Sequence, residues 1–197
     1  MMYPYTTDSN ERKLVLFLLV IISLLLAWFL NRILEVLQCT LPWWIDAPSV
    51  VGFCGIFYTI FDKYLWRISI LRRIGLVKVP NLHGIWKGYI ASSFDAHAAK
   101  HDATIEIHQS WTRISINLRT QISKSRSLTA AILTENQDAI LISYEYLNEP
   151  MPNAKITMHT HRGTARLTLT LDSQTLEGEY YTGRDRQNFG VLRFRRL

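Results

Sequence analysis

The chain has 197 residues, 48% of them hydrophobic, with 22 Lys and Arg against 16 Asp and Glu, for a net charge of +6. That length suits one modest domain plus an accessory segment. The two cysteines, Cys39 and Cys54, both lie before residue 60, which excludes a disulfide framework or a cysteine-based zinc site in the rest of the chain.

Leu14–Leu30 is a run of seventeen residues without a charge. A second apolar stretch, Leu41–Phe61, is interrupted by Asp46 and Pro48. About 20 apolar residues at ~1.5 Å each cross a ~30 Å hydrocarbon layer, so both stretches are predicted spans. The first run lacks a small-residue cleavage site and a second span follows it, which argues for an uncleaved anchor over a signal peptide. Arg12 and Lys13 precede the first span, and Lys63, Arg67, Arg72, Arg73 and Lys78 follow the second. Between the spans, Arg32 is offset by Glu35. The positive-inside rule then places both termini in the cytoplasm of a multi-pass inner-membrane protein. Tyr64–Val77 interleaves arginines with leucine and isoleucine, the pattern of a segment lying on an anionic leaflet. The expected organisation is a two-helix transmembrane region over 1–63, a basic linker over 64–80 and a cytoplasmic sensing domain over 81–197.

After Pro80 the hydropathy alternates with period two. Strands are predicted at His83–Ala91, Ala103–Ser110, Thr112–Thr120, Arg126–Thr134, Ala139–Leu147, Thr164–Leu171, Leu176–Thr182 and Gly190–Arg196. Runs such as Ile114/Ile116/Leu118 and Ala165/Leu167/Leu169 give each strand one dry face and one wet face. Eight short strands joined by turns predict an all-β domain, an antiparallel up-and-down barrel, behind the membrane α-helical hairpin. Met151–His161 reads either as a further strand or as a crossing loop. An up-and-down order gathers the loops after the first, third, fifth and seventh strands at the end away from the membrane linker.

Gly84-Ile85-Trp86 is the G-x-W pattern of lipocalin-like barrels, where the Trp plugs the closed end beside a basic residue of the last strand, here Arg193 or Arg195. His97 and His101 have i, i+4 spacing but no third partner, so no metal is expected. No nucleophile elbow, phosphate loop or dinucleotide fingerprint occurs, so neither catalysis nor a cofactor is expected. Nucleotide recognition is better supplied, because phosphates want Arg or Lys and bases want aromatic faces. Tyr180, Thr182 and Arg184 end one strand at the distal rim, Tyr144 and Tyr146 lie in the distal half of another, and Tyr89 ends the first. These six are the candidate ligand residues, with Gly84 and Trp86 as the structural plug. The tyrosines also read as core filler, and an apolar or lipid ligand in a membrane-tethered barrel is the alternative.

The order of motifs carries a resemblance. After the two-span segment come Pro80-Asn81-Leu82-His83-Gly84-Ile85-Trp86-Lys87-Gly88, then His161-Arg162-Gly163-Thr164-Ala165, Leu176 through Arg184, and Gly190-Val191-Leu192. In this the chain resembles the membrane effectors of bacterial CBASS antiphage systems, in the CD-NTase-associated family with two transmembrane helices and a β-strand-rich domain. The resemblance implies a minimal eight-stranded barrel that binds a cyclic dinucleotide made by a cognate nucleotidyltransferase, with no DNA or RNA partner. It further implies ligand-dependent self-association, disruption of the inner-membrane lipid and death of the infected cell.

Overall fold

A computed structural model describes residues 2–38, 43–135, 139–154, 158–183 and 187–197, with backbone alone for 43–49. The chain folds as two compact units. One takes the N-terminal residues up to Ser9 together with Val79–Leu197, and the other takes Asn10–Lys78.

The first unit is built from strands β1 (Tyr3–Pro4), β2 (Thr6–Thr7), β3 (Gly84–Ser92), β4 (His101–Gln109), β5 (Arg113–Thr120), β6 (Ser123–Leu133), β7 (Ile140–Pro150), β8 (His161–Leu169), β9 (Thr175–Thr182) and β10 (Phe189–Arg196). From β3 onward each strand pairs antiparallel with the next, and β10 returns to β3 with Gly190 opposite Ser92 and Arg196 opposite Trp86. This is the expected closed antiparallel barrel. Residues 151–154 and 158–160 form loop, not a further strand. The dry faces meet inside: Ile105, Ile107, Ile114, Ile116, Ile132 and Ile142 are all essentially inaccessible.

Trp86 is fully buried and donates its indole N–H to the Leu82 carbonyl at 3.0 Å. The guanidinium over its ring belongs to Arg196, 5.3 Å from the centroid, which also donates to the Asn81 carbonyl at 3.0 Å and the His83 carbonyl at 2.6 Å. Arg193 and Arg195 do not take that place. Phe194 between them points inward, so both point out, and Arg193 pairs with Glu177 at 3.0 Å. Gly84 sits at φ +136°, which a residue with a Cβ rarely adopts.

The eight main strands do not close the wall alone. β5 and β6 pair near their hairpin, from Asn117 opposite Arg126 to Arg119 opposite Lys124, and then part. A register shift on β6 between Ser127 and Thr129 bends the strand there. The N-terminal segment fills the gap. β1 runs antiparallel to β5 with Tyr3 opposite Ile114, and β2 runs parallel to β6 with Thr6 opposite Ala131. Between them Tyr5 is 2% exposed and its hydroxyl donates to the Trp111 carbonyl at 2.6 Å. The Asp8 carboxylate then accepts from the Thr134 amide at 2.8 Å and the Glu135 amide at 3.0 Å. Burial pushes the Asp8 carboxyl upward, but these hydrogen bonds outweigh it and hold the group below the usual carboxylate range. Residues 3–8, expected within the membrane region, are therefore part of the barrel wall.

The second unit holds helices α1 (Glu11–Val36), α2 (Trp43–Lys63) and α3 (Ser69–Arg73), with a 3-10 turn at Leu65–Arg67. The 26 residues of α1 span roughly 39 Å at 1.5 Å per residue, more than a hydrocarbon core requires. Among the described residues α1 is the helix long and apolar enough to cross a membrane. Its buried residues, Glu11, Val15, Leu19, Ser23 and Ala27, recur every fourth position and make one packing ridge. Ser23 satisfies its hydroxyl on the Leu19 carbonyl at 2.7 Å, so the ridge carries no unpaired polar group there. Phe17, Leu24, Leu25 and Trp28 stand exposed on the rest of the helix. Past α2, Ile68, Ile70 and Ile74 are exposed beside Arg72 and Arg73.

Candidate ligand-binding site

A cavity of about 410 Å³ opens at the end of the barrel away from the residues that lead into β3. That volume lies in the range of small-molecule sites. It forms because the inward positions change character along each strand. On β7, Ile142 belongs to the closed end, whereas Tyr144, Tyr146 and Asn148 line the cavity. On β6 the cavity is lined by Ser123, opposite Pro150, and Ser125, opposite Asn148. The tyrosine rings of 144 and 146 are tilted by 55° with centroids 6.3 Å apart, and Tyr180 enters from β9. Burial, with the nearby Tyr3 adding to it, pushes the Tyr144 phenol well above its usual value. Tyr144 therefore serves as a neutral aromatic surface at physiological pH.

Of the six candidate ligand residues, Tyr144, Tyr146, Tyr180 and Thr182 line this cavity together. The Thr182 hydroxyl is also engaged in closing the β9–β10 turn, donating to the Asn188 carbonyl at 3.0 Å and accepting from the Asn188 amide at 2.7 Å. Arg184 lies outside the described residues, as do Lys155 and Arg186. Tyr89 requires a correction. With Trp86, Gly88 and Ile90 in alternation on β3, it falls on the opposite parity to Trp86 and faces out of the barrel. There its ring supports the Lys100 ammonium at 4.6 Å, a cation–π contact, and Lys100 itself lines the cavity.

Three further features emerge only in three dimensions. Lys100 is, among the described residues, the Lys or Arg lining the cavity. The other described rim cations face outward, where Arg126 approaches Glu149 at 3.9 Å and Arg162 approaches Glu145 at 3.7 Å. Asn148 is buried and its side-chain carbonyl accepts from Ser125 at 2.7 Å, which fixes the amide against the wall. Asn148 lies one step beyond the predicted end of β7 at Leu147, on the same parity as Tyr144 and Tyr146. Finally, His97 and His101 are not a ligand pair. Ala96 and His97 have positive φ, His97 contacts the Phe189 ring, and His101 pairs with Asp95 at 2.9 Å. The hydrogen bond from His101 lowers the Asp95 pKa, with burial opposing it.

The comparisons with known proteins match both units. Residues 77–196 fit a family model described as Cap15, cyclic dinucleotide receptor domain, and residues 13–67 fit one described as Cap15, TM helices. The chain is 29% identical over 157 residues to CD-NTase-associated protein 15 of Yersinia aleksiciae, covering 76% of this chain and 71% of the relative. It is 28% identical over 169 residues to CD-NTase-associated protein 15 of Staphylococcus schleiferi, covering 84% of this chain and 88% of the relative. With a closed barrel bearing an aromatic, polar-rimmed cavity behind an apolar helix, and a receptor-domain match across nearly all of that barrel, the chain belongs to the Cap15 family of CBASS effectors, which join membrane helices to a cyclic dinucleotide receptor domain.

Proposed function

We propose that a cyclic dinucleotide enters the distal cavity, that its binding promotes self-association, and that the helical unit then disrupts the inner membrane. The observation that carries this reading is the chemistry of the cavity. Tyr146 and Tyr180 offer faces for bases, and Lys100 brings a positive charge to the same opening. Fourteen of its twenty-one lining residues carry a polar side-chain group. That mixture of ring faces and polar side chains suits a ligand that carries both bases and phosphates. We assign Arg184 to phosphate on sequence grounds alone. The exposed isoleucines and arginines after α2 suit an anionic lipid surface, and the cation flanks favour cytoplasmic termini.

Isothermal titration of the full chain in detergent with cyclic di-AMP, cyclic di-GMP and cyclic GMP-AMP tests the receptor step. Submicromolar binding of one member is expected, weakened roughly 5- to 100-fold by Tyr180→Ala or Tyr146→Ala, as a lost base-stacking partner predicts. No heat with any cyclic dinucleotide would overturn the reading. Ligand-triggered dye release from liposomes carrying the protein tests the membrane step, and intact vesicles at saturating ligand would reject it.

A further inference from the structure

The apolar side chains of the cavity divide by depth. Leu118 and Leu192 are buried in its wall, whereas Phe94 is 60% exposed and Ile122 42% exposed although both line the cavity. Phe94 belongs to the 3-10 turn Ser93–Asp95 that follows β3, and Ile122 to the hairpin between β5 and β6. A single exposed apolar residue on an open surface needs no explanation, but a phenyl ring held at the mouth of a binding cavity does.

The turn that carries Phe94 is braced on several sides. The Ser92 hydroxyl oxygen accepts from the Phe94 amide at 3.2 Å, and the Ser92 carbonyl accepts from the His97 amide at 2.8 Å. Ser93 ties the turn to β10, its hydroxyl oxygen accepting from the Phe189 amide at 3.0 Å. His101 pairs with Asp95 at 2.9 Å, and the His97 ring lies 5.7 Å from that of Phe189. An aromatic side chain on such a backbone has two torsions to settle, so a ligand that fixes the ring pays little entropy. Its apolar area is still in water, where a base can cover it.

We propose that Phe94 is a further ligand-contacting residue, its ring stacking on the solvent-facing side of a base seated in the cavity. The proposal deepens the receptor reading above and rests on it. The β3–β4 connection then serves the ligand at both ends, with Phe94 on a base and Lys100 beside the phosphates. Ile122 adds apolar cover but no ring face. Because every base has a π-face, the Phe94 contact adds affinity without choosing among bases.

The test is calorimetry on the full chain in detergent with cyclic di-AMP, cyclic di-GMP and cyclic GMP-AMP, with the Tm of each unliganded variant measured alongside. Phe94→Ala is expected to weaken every cyclic dinucleotide that binds by a similar factor, about 5- to 100-fold. Its Tm should be unchanged, because so exposed a side chain supports little of the fold. Phe94→Tyr should bind as the natural chain does, and Phe94→Leu, which keeps apolar bulk but loses the ring face, should bind nearly as weakly as Phe94→Ala. Unchanged affinity in Phe94→Ala overturns the proposal and leaves the receptor reading intact. Normal binding by Phe94→Leu also overturns it, reducing the residue to apolar cover. If Phe94→Ala lowers the Tm, Phe94→Cys in a Cys39→Ser, Cys54→Ser background decides. Bound ligand is expected to shield that thiol from a water-soluble maleimide, and equal labelling with and without ligand overturns the proposal. Absence of binding by all three probes to the natural chain overturns both.

Discussion

Gly163 lies directly across the β7–β8 ladder from Tyr146, and Gly190 directly across β9–β10 from Tyr180, so each cavity ring rests over backbone that has no side chain. A Cβ at Gly163 would overlap the Tyr146 phenol and the Tyr181 carbonyl, and one at Gly190 would overlap the Ala91 carbonyl and the Tyr180 ring. The backbone atoms cannot step aside as a flexible side chain would. Gly163→Ala is therefore expected to cost about 1–3 kcal/mol in chemical denaturation and to displace Tyr146, weakening cyclic dinucleotide binding in the same preparation. Unchanged stability and binding would show that the ring has another place to lie. A second residue-scale consequence concerns pH. The Tyr144 phenol, raised by burial and then by its neighbour Tyr3, stays protonated in the folded chain where an unfolded tyrosine ionises near pH 10. Its contribution is fully present below that pH and is lost as pH rises from there towards the folded value, at about 1.4 kcal/mol per pH unit. Denaturation curves between pH 8 and 11 should show this fall, and Tyr144→Phe should flatten it.

At the scale of elements, what could be read from sequence depended on what each strand faces. β4, β5, β8 and the first half of β7 bury isoleucine, leucine or alanine on alternate positions, and period two located them to within a few residues. β6 starts at Ser123, not at Arg126, and β7 runs to Pro150, not Leu147. The missed residues are those whose inward side chains, Ser123, Ser125 and Asn148, form the polar cavity wall. Hydropathy alternation fades where the lumen stops being a core, so the same cause hid both the strand ends and part of the site. The N-terminal strap of β1 and β2 was hidden for a different reason. Its strands are two residues each, too short for periodicity, and its anchor Tyr5 bonds to Trp111, 106 positions away. Two short ladders, the Asp8 hydrogen bonds and the buried Tyr5 side chain hold it. Tyr5→Ala should cost about 3–5 kcal/mol, the range for deleting a buried aromatic, and should expose the gap between β5 and β6. Thermal unfolding and proteolysis of the full chain would check both, and a near-neutral substitution would mean that the strap does not support the barrel.

For the whole molecule, the strap constrains how the helical unit meets a membrane. Residues up to Ser9 and residues from Val79 belong to one compact barrel. Chain connectivity then requires both ends of Asn10–Lys78 to lie on the same side of any bilayer, so the segment between them crosses an even number of times. α1 has the length and apolarity to cross once, and a single crossing would tear the strap from its seam between β5 and β6. A return through α2 satisfies the constraint even though Asp46 and Pro48 make that helix a poorer span than α1. On the proposed orientation, with the barrel in the cytoplasm, the connection between α1 and α2 would face outside. Cys39 is in that connection and Cys54 is the other thiol of the chain. In a Cys54→Ser variant expressed in intact spheroplasts, a membrane-impermeant maleimide should label Cys39 from outside, while a cysteine placed at Thr6 in a Cys39→Ser, Cys54→Ser background should react only after lysis. Labelling of the Thr6 site from outside would place the barrel on the opposite face. Protection of both until lysis would mean that the helical unit lies on the inner leaflet without crossing, leaving disruption to an insertion step that follows ligand binding.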